Sequence, residues 1–215
     1  MAGETAPSPR RASWVDTVAA VLLACAAVAT AWSSYQASRW NGEQAKAFSA
    51  ANAARVHSSR AAALATAQKQ VDVAVFMSWV DATVHEDQEL ADFYRERFRE
   101  EFMPAVEAWL ATDPFNDPDA PLTPFTLPEY RLAAQEESEQ LDAVEAENAE
   151  LARENIERAT RYVLAVVLFS ISLFFAGISS RLATHRIRVV ILLVGCTFFL
   201  VTAVWVATFP KSIAF

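Results

Sequence analysis

Three stretches of the chain are apolar almost without interruption. Residues 14–32 carry one charged side chain, Asp16, and residues 162–180 and 189–209 carry none. Each is close to the ~20 residues a helix needs to cross ~30 Å of hydrocarbon. The pattern predicts three transmembrane helices over these ranges. They leave a disordered cytoplasmic tail at 1–13, an extramembrane region at 33–161, a short basic loop at 181–188 and a tail at 210–215.

The first apolar stretch also fits a secretory signal. Arg10 and Arg11 precede it, and small residues, Ala29 to Ala31, close it. The "LLAC" at Leu22 to Cys25 touches a bacterial lipidation pattern, but the apolar run continues past that cysteine. An uncleaved anchor is the expected form, and all three readings send the following segment to the same side of the membrane.

Between the spans the pattern changes to helical periodicity with polar intervals. From Gln36 to Leu110 there is one glycine, Gly42, and one proline, Pro104, in a background of Ala, Glu, Arg and Gln. Val73, Phe76, Val80, Val84, Tyr94, Phe98 and Phe102 recur mostly three or four apart and predict one apolar helix face. Five prolines between 114 and 128 exclude a helix there and predict an extended connection over 112–128. Glu129 to Thr160 is free of Pro and Gly and runs into the second span.

Helix lengths constrain this region. An unbroken helix over 33–111 rises about 118 Å, whereas 128–161 descends only about 50 Å, so one hairpin does not close. The mismatch is removed if the rising helix turns back near His85 to Glu89. The expected fold class is therefore all-α: an integral membrane protein with three transmembrane helices and a bent helical-bundle extramembrane domain.

Charge sets the expected orientation. Arg181, Arg186 and Arg188 in the short loop, with Arg10 and Arg11, mark the cytoplasmic side. The domain is then extracytoplasmic, although Arg39, Lys46, Arg153, Arg158 and Arg161 flank the spans on the opposite side. Within the domain, residues 33–80 hold five basic and two acidic side chains, and residues 81–160 hold six basic and 22 acidic. A mildly basic helix beside an acidic one accounts for this, and an acidic surface for cationic partners or metal ions is the sharper alternative. An abundance of Arg over Lys in an Ala-rich chain suggests a bacterial source.

The stretch "WSSYQASRWNGEQ", residues 32–44, holds the most suggestive side chains. On a helix, Trp32, Gln36, Trp40 and Gln44 fall four apart, with Tyr35 and Arg39 on the adjacent face. Trp and Tyr concentrate at bilayer interfaces, so an interfacial collar is the expected role, with a lipid or small-ligand contact or a subunit contact as alternatives and Arg39 placed to meet a phosphate headgroup. Trp32 is expected to anchor the helix and Trp40 to pack at the base of the domain. A second pattern lies at Leu141, Val144, Asn148, Leu151, Asn155 and Tyr162. This heptad spacing with Asn at two core sites predicts either a short self-association seam or packing inside the chain's own bundle.

Candidate chemistry is thin. Asp81, His85 and Glu89 are four apart, but one His among carboxylates is a poor ligand set. Asp113, Asn116, Asp117 and Asp119 lack the Gly and closing Glu of a calcium loop, and His57 reads as surface. There is no glycine-flanked serine, no phosphate-cradling Gly loop, and no cysteine outside the spans, where Cys25 and Cys196 are expected to be buried. Neither catalysis nor a cofactor or metal is expected, and no nucleic-acid partner.

Residues 31–45, "AWSSYQASRWNGEQA", and residues 93–132, with Trp-Leu-Ala-Thr at 109–112 before the Pro-rich run, resemble a family of uncharacterised bacterial membrane proteins. The resemblance covers most of the chain. It implies the three-span layout and supplies no activity or site residue.

The expected function is that of a non-catalytic interaction or scaffold protein of the bacterial inner membrane, with membrane lipids, an unknown membrane or periplasmic protein, and further copies of itself as the candidate partners. The alternatives are a ligand-sensing subunit signalling through a partner, or a small oligomeric channel lined by the first span with Ser170 and Ser172.

Overall fold

A computed structural model describes residues 14–211, so the tail expected at 1–13 and most of that at 210–215 lie outside the described residues. The described chain is all-α, with no strand. The helices are α1 (Trp14–Val84), α2 (Gln88–Arg95), α3 (Met103–Leu110), α4 (Ala133–Ser179) and α5 (His185–Ala207), with a 3-10 turn at Pro124–Thr126. By internal contacts the chain divides into two units, one built from residues up to 48 and from 150 onward, the other from residues 49–149.

The first unit contains the spans. α1, α4 and α5 each carry a stretch long and apolar enough to cross a membrane, of which only 22%, 33% and 22% is buried by protein. Most of this apolar surface faces outward, which water would penalise and lipid does not. The multi-pass membrane protein expected from the hydropathy pattern is thus the architecture found. Inside the unit, Val15, Ala19 and Leu22 of α1 pack with Ala176 of α4 and Leu192 of α5. Gly195 lets α5 come close: a Cβ there would lie 3.1 Å from the Phe175 Cβ. Several span hydroxyls bond back to their own helices, as in Thr30 to Ala26 O at 2.7 Å and Thr202 to Phe198 O at 2.8 Å.

One ion pair ties the helix ends of this unit. Arg188 donates to Asp16 and, through Nε at 3.0 Å, to the Ser179 carbonyl. A carboxylate in the first turn of α1 and a cation at the C-terminal carbonyls of α4 both complement the local helix dipoles. α5 starts at His185, so Arg186 and Arg188 belong to its first turn rather than to the loop.

The second unit has an aromatic core. α1 ends in a Schellman-type closure, with Asp87 N bonded to Ala82 O at 3.0 Å and Glu86 N to Thr83 O at 3.2 Å. Glu86 takes the left-handed position (φ 59°) that glycine usually fills. Asp87 then caps α2 by accepting from Leu90 N at 3.2 Å. The turn-back expected near residues 85–89 is therefore present. Beyond it, Phe98, Phe102, Val106 and Trp109 pack against Phe76, Trp79 and Ala82 of α1. The expected face is present at Phe76, Phe98 and Phe102, with Val80 and Tyr94 packed at its edge, but Val73 and Val84 are exposed and Trp79 joins the centre.

The Pro-rich connection is non-helical apart from its 3-10 turn, and it closes the core. Phe125 stacks on Phe102 (centroids 5.1 Å apart, planes 3°), Tyr130 meets both edge-on, and Trp109 Nε1 donates to Pro121 O at 2.6 Å. α4 is pinned to α1 within this unit by Ser58, bonded to Ser138 (3.2 Å) and Asp142, and by Ala65 packing on Leu132 and Ala134.

Candidate interfacial site

The residues of the 32–44 stretch sit on two faces. Ser33, Gln36 and Ala37 are buried, Trp40 is half-buried, and Trp32 and Tyr35 are exposed with their rings 6.0 Å apart. Four-residue spacing advances 400° on an α-helix, so each step drifts 40° and Trp32 to Trp40 cannot share one narrow face. The expected common stripe thus splits. Trp32 and Tyr35 turn outward, as interfacial anchors do, and Gln36 and Trp40 turn into the three-helix unit.

Trp40 packs against the cluster of Ala37, Tyr162 and Phe209. The Arg158 guanidinium lies 4.9 Å from its ring centroid and donates to Glu154 (2.8 Å) and Asn155 (3.1 Å). The Tyr162 hydroxyl donates to Pro210 O at 3.1 Å, fixing the chain that leaves α5. A hollow of about 320 Å³, lined by Glu154, Glu157, Arg158, Arg161 and Pro210, opens beside it. Its cations are already opposed by Glu154 and Glu157, at 2.8 and 3.8 Å. Arg39 Nε and Trp40 Nε1 are buried and make no hydrogen bond among the described residues.

The two tryptophans should therefore respond differently to truncation. Trp40→Ala is expected to cost about 2 kcal/mol, part of what a fully buried Trp is worth. Trp32→Ala should cost under ~0.5 kcal/mol, as at other exposed positions. Thermal unfolding in mild detergent, followed by circular dichroism, measures both, and equal shifts would refute the division of roles.

The heptad positions on α4 are also divided. Asn155 and Tyr162 are buried, Leu141 and Asn148 are half-buried, and Val144 and Leu151 are exposed. Asn148 Nδ2 donates to its own helix at Val144 O (2.8 Å), and Asn155 accepts from Arg158. The two amides thus already have partners inside the chain, and the side chains facing outward are Val144 and Leu151.

The other candidates separate as well. His85 Nδ1 lies 2.9 Å from Asp81 O, both side chains are well exposed, and Glu89 lies beyond the turn on α2. Among the described residues no three His, Cys, Asp or Glu side chains come together as a metal cluster. Asn116 and Asp119 bond to the side chains of Asp113 and Asp117 in local turns, and His57 is exposed. Ser170 and Ser172 bond to their own helix carbonyls. Cys196 is half-buried. Cys25 is exposed rather than buried, in an apolar hollow with Val28 and Trp32. It lies on the outward apolar face of the first candidate span, not in a protein core.

Sequence reasoning did not find the best-formed polar cluster, in the second unit. Asp72, with its side chain 1% exposed, receives Arg99 Nε at 2.9 Å and Nη2 at 2.8 Å, and Tyr130 OH at 3.0 Å. Arg99 also reaches Glu101 at 2.9 Å. The Asp72 hydrogen bonds hold the Arg99 guanidinium even more firmly protonated than usual. Burial, with the hydrogen bond to Asp72 adding to it, pushes the Tyr130 phenol well above its ordinary value. All three groups are spent on one another, which makes this a structural clamp and not a poised acid or base. Compared with known proteins, the chain matches no family model, no curated protein and no solved structure.

Proposed function

We propose that this is a non-catalytic interaction protein of the bacterial inner membrane, with its extramembrane unit on the extracytoplasmic side as the contact surface. The observation that carries the reading is the division of roles in that unit. Its core rings and its buried ion pair are consumed internally, while other large apolar side chains remain outside on an acidic surface. Leu122, in the Pro-rich connection, is 94% exposed, and Phe115 and, on α2, Phe93 are also exposed. The prolines hold such a loop in place at low entropic cost, which favours contact through its apolar side chains. The bacterial source and the orientation rest on the Arg-rich, Ala-rich composition, the resemblance at residues 31–45 and 93–132, and the arginines around 181–188.

One variant tests side and role together. Leu122→Cys, with Cys25 and Cys196 replaced by Ser, should react with a membrane-impermeant maleimide in intact spheroplasts. A cleavable crosslinker on the same thiol should capture one recurrent protein in native membranes, identified by mass spectrometry. Labelling only after lysis would invert the orientation. Capture of the same spectrum of proteins from Leu122→Cys and from a cysteine at exposed Glu139 would remove the contact role.

A further inference from the structure

In the membrane unit an open groove of about 210 Å³ runs between the three spans. Its lining includes Ala29, Trp32 and Ser33 of α1, Phe169 of α4, Ala203 and Ala207 of α5, and Lys211 just beyond α5. The wall is mostly apolar, as an acyl chain requires. Two polar features do not fit a groove meant only for hydrocarbon. Ser33 is fully buried, yet its hydroxyl makes no hydrogen bond among the described residues, whereas those of Thr30, Ser170 and Thr202 bond back to their own helices. Lys211 is exposed and has no carboxylate within ion-pair distance among the described residues. The neighbouring hollow differs in this respect, because Arg158 and Arg161 are neutralised by glutamates.

We propose that this groove is a binding site for one anionic glycerophospholipid, with an acyl chain along Ala29, Phe169 and Ala203 and the phosphate on Lys211. Ser33 supplies a buried hydroxyl to the ester region. Trp32 stands where interfacial rings pack beside a headgroup. Lys211 is held at the groove because the preceding residue, Pro210, is fixed by the Tyr162 hydroxyl. A cation presented next to an apolar groove selects for net negative headgroups, since a zwitterionic lipid brings its own positive charge to the same place.

The test uses the full chain released from nanodiscs holding equal amounts of phosphatidylglycerol and phosphatidylcholine with matched acyl chains, read by native mass spectrometry. Wild type should retain one phosphatidylglycerol in roughly fivefold preference, about what one lysine near a bilayer surface provides. Lys211→Glu, at an exposed position that the fold does not depend on, should bring the ratio to about 1 or below. Ala207→Trp, which fills the groove from an exposed position, should reduce retention of both lipids while leaving thermal unfolding unchanged. Equal retention of the two lipids by wild type, a preference that survives Lys211→Glu, or undiminished retention in Ala207→Trp would each overturn the site.

Discussion

Phe76→Ala should unfold the extramembrane unit at temperatures where wild type is intact. Phe76 is 3% exposed, and its ring lies 5.2 to 6.0 Å from those of Trp79, Phe102, Trp109 and Phe125. It therefore joins α1 to α3 and to the Pro-rich connection at one point. Truncating a buried Phe costs about 3–5 kcal/mol through lost transfer energy and the cavity left behind. In a unit of about 100 residues that corresponds to a fall in Tm of roughly 15–30 °C. Val73→Ala, three residues earlier at a position 38% exposed, should stay within about 0.5 kcal/mol. Near-ultraviolet circular dichroism reports the core directly, because Trp79 and Trp109 are packed in it. Equal losses from the two variants would show that the cluster is not the unit's stabilising core.

That pair of residues also shows where the sequence was informative. The spans were legible because ~20 uncharged positions permit few alternatives, and the turn-back followed from helix lengths alone. The chemistry of the turn was not legible. Glu86 stands where a glycine would have announced a Schellman closure, and the motif depends on a backbone conformation that side-chain identity does not report. The apolar periodicity located the core face through Phe76, Phe98 and Phe102, with Val80 and Tyr94 at its margin, but it also drew in exposed Val73 and Val84, because β-branched residues on a surface carry the same signal as a core. Trp79, outside that series, is buried beside Phe76 and was missed. In the 32–44 stretch, spacing by four suggested a common face that the 40° drift per step dissolves. The Asp72, Arg99 and Tyr130 clamp was invisible, because its members lie 27 and 58 positions apart and no local pattern links them. A lone Asp in the mildly basic part of α1 was the faint available signal, since such a residue on an apolar helix face needs a partner from elsewhere.

The clamp yields the other large effect, and an asymmetric one. Arg99→Ala leaves the Asp72 carboxylate, 1% exposed, with Tyr130 as its remaining donor, and an uncompensated buried charge costs about 3–5 kcal/mol. Asp72→Asn leaves Arg99 with Glu101 and with solvent, because its side chain is 24% exposed. Its cost should be about 1–2 kcal/mol, mainly that of a weakened charged hydrogen bond. Replacing both residues by Leu and Met should cost less than Arg99→Ala alone, since an apolar pair leaves no charge to solvate. Tyr130 adds a pH signature. Its folded-state pKa is raised, so its contribution is fully present below the unfolded value of about 10 and is lost as the pH climbs through the folded value. Stability should therefore decline above pH ~10, and Tyr130→Phe should decline less steeply over the same interval. The measurement is chemical unfolding of the full chain in mild detergent from pH 7 to 11, followed by tryptophan fluorescence. Arg99→Ala milder than Asp72→Asn would mean that water reaches the carboxylate, and a slope unchanged in Tyr130→Phe would mean that the phenol titrates alike in both states.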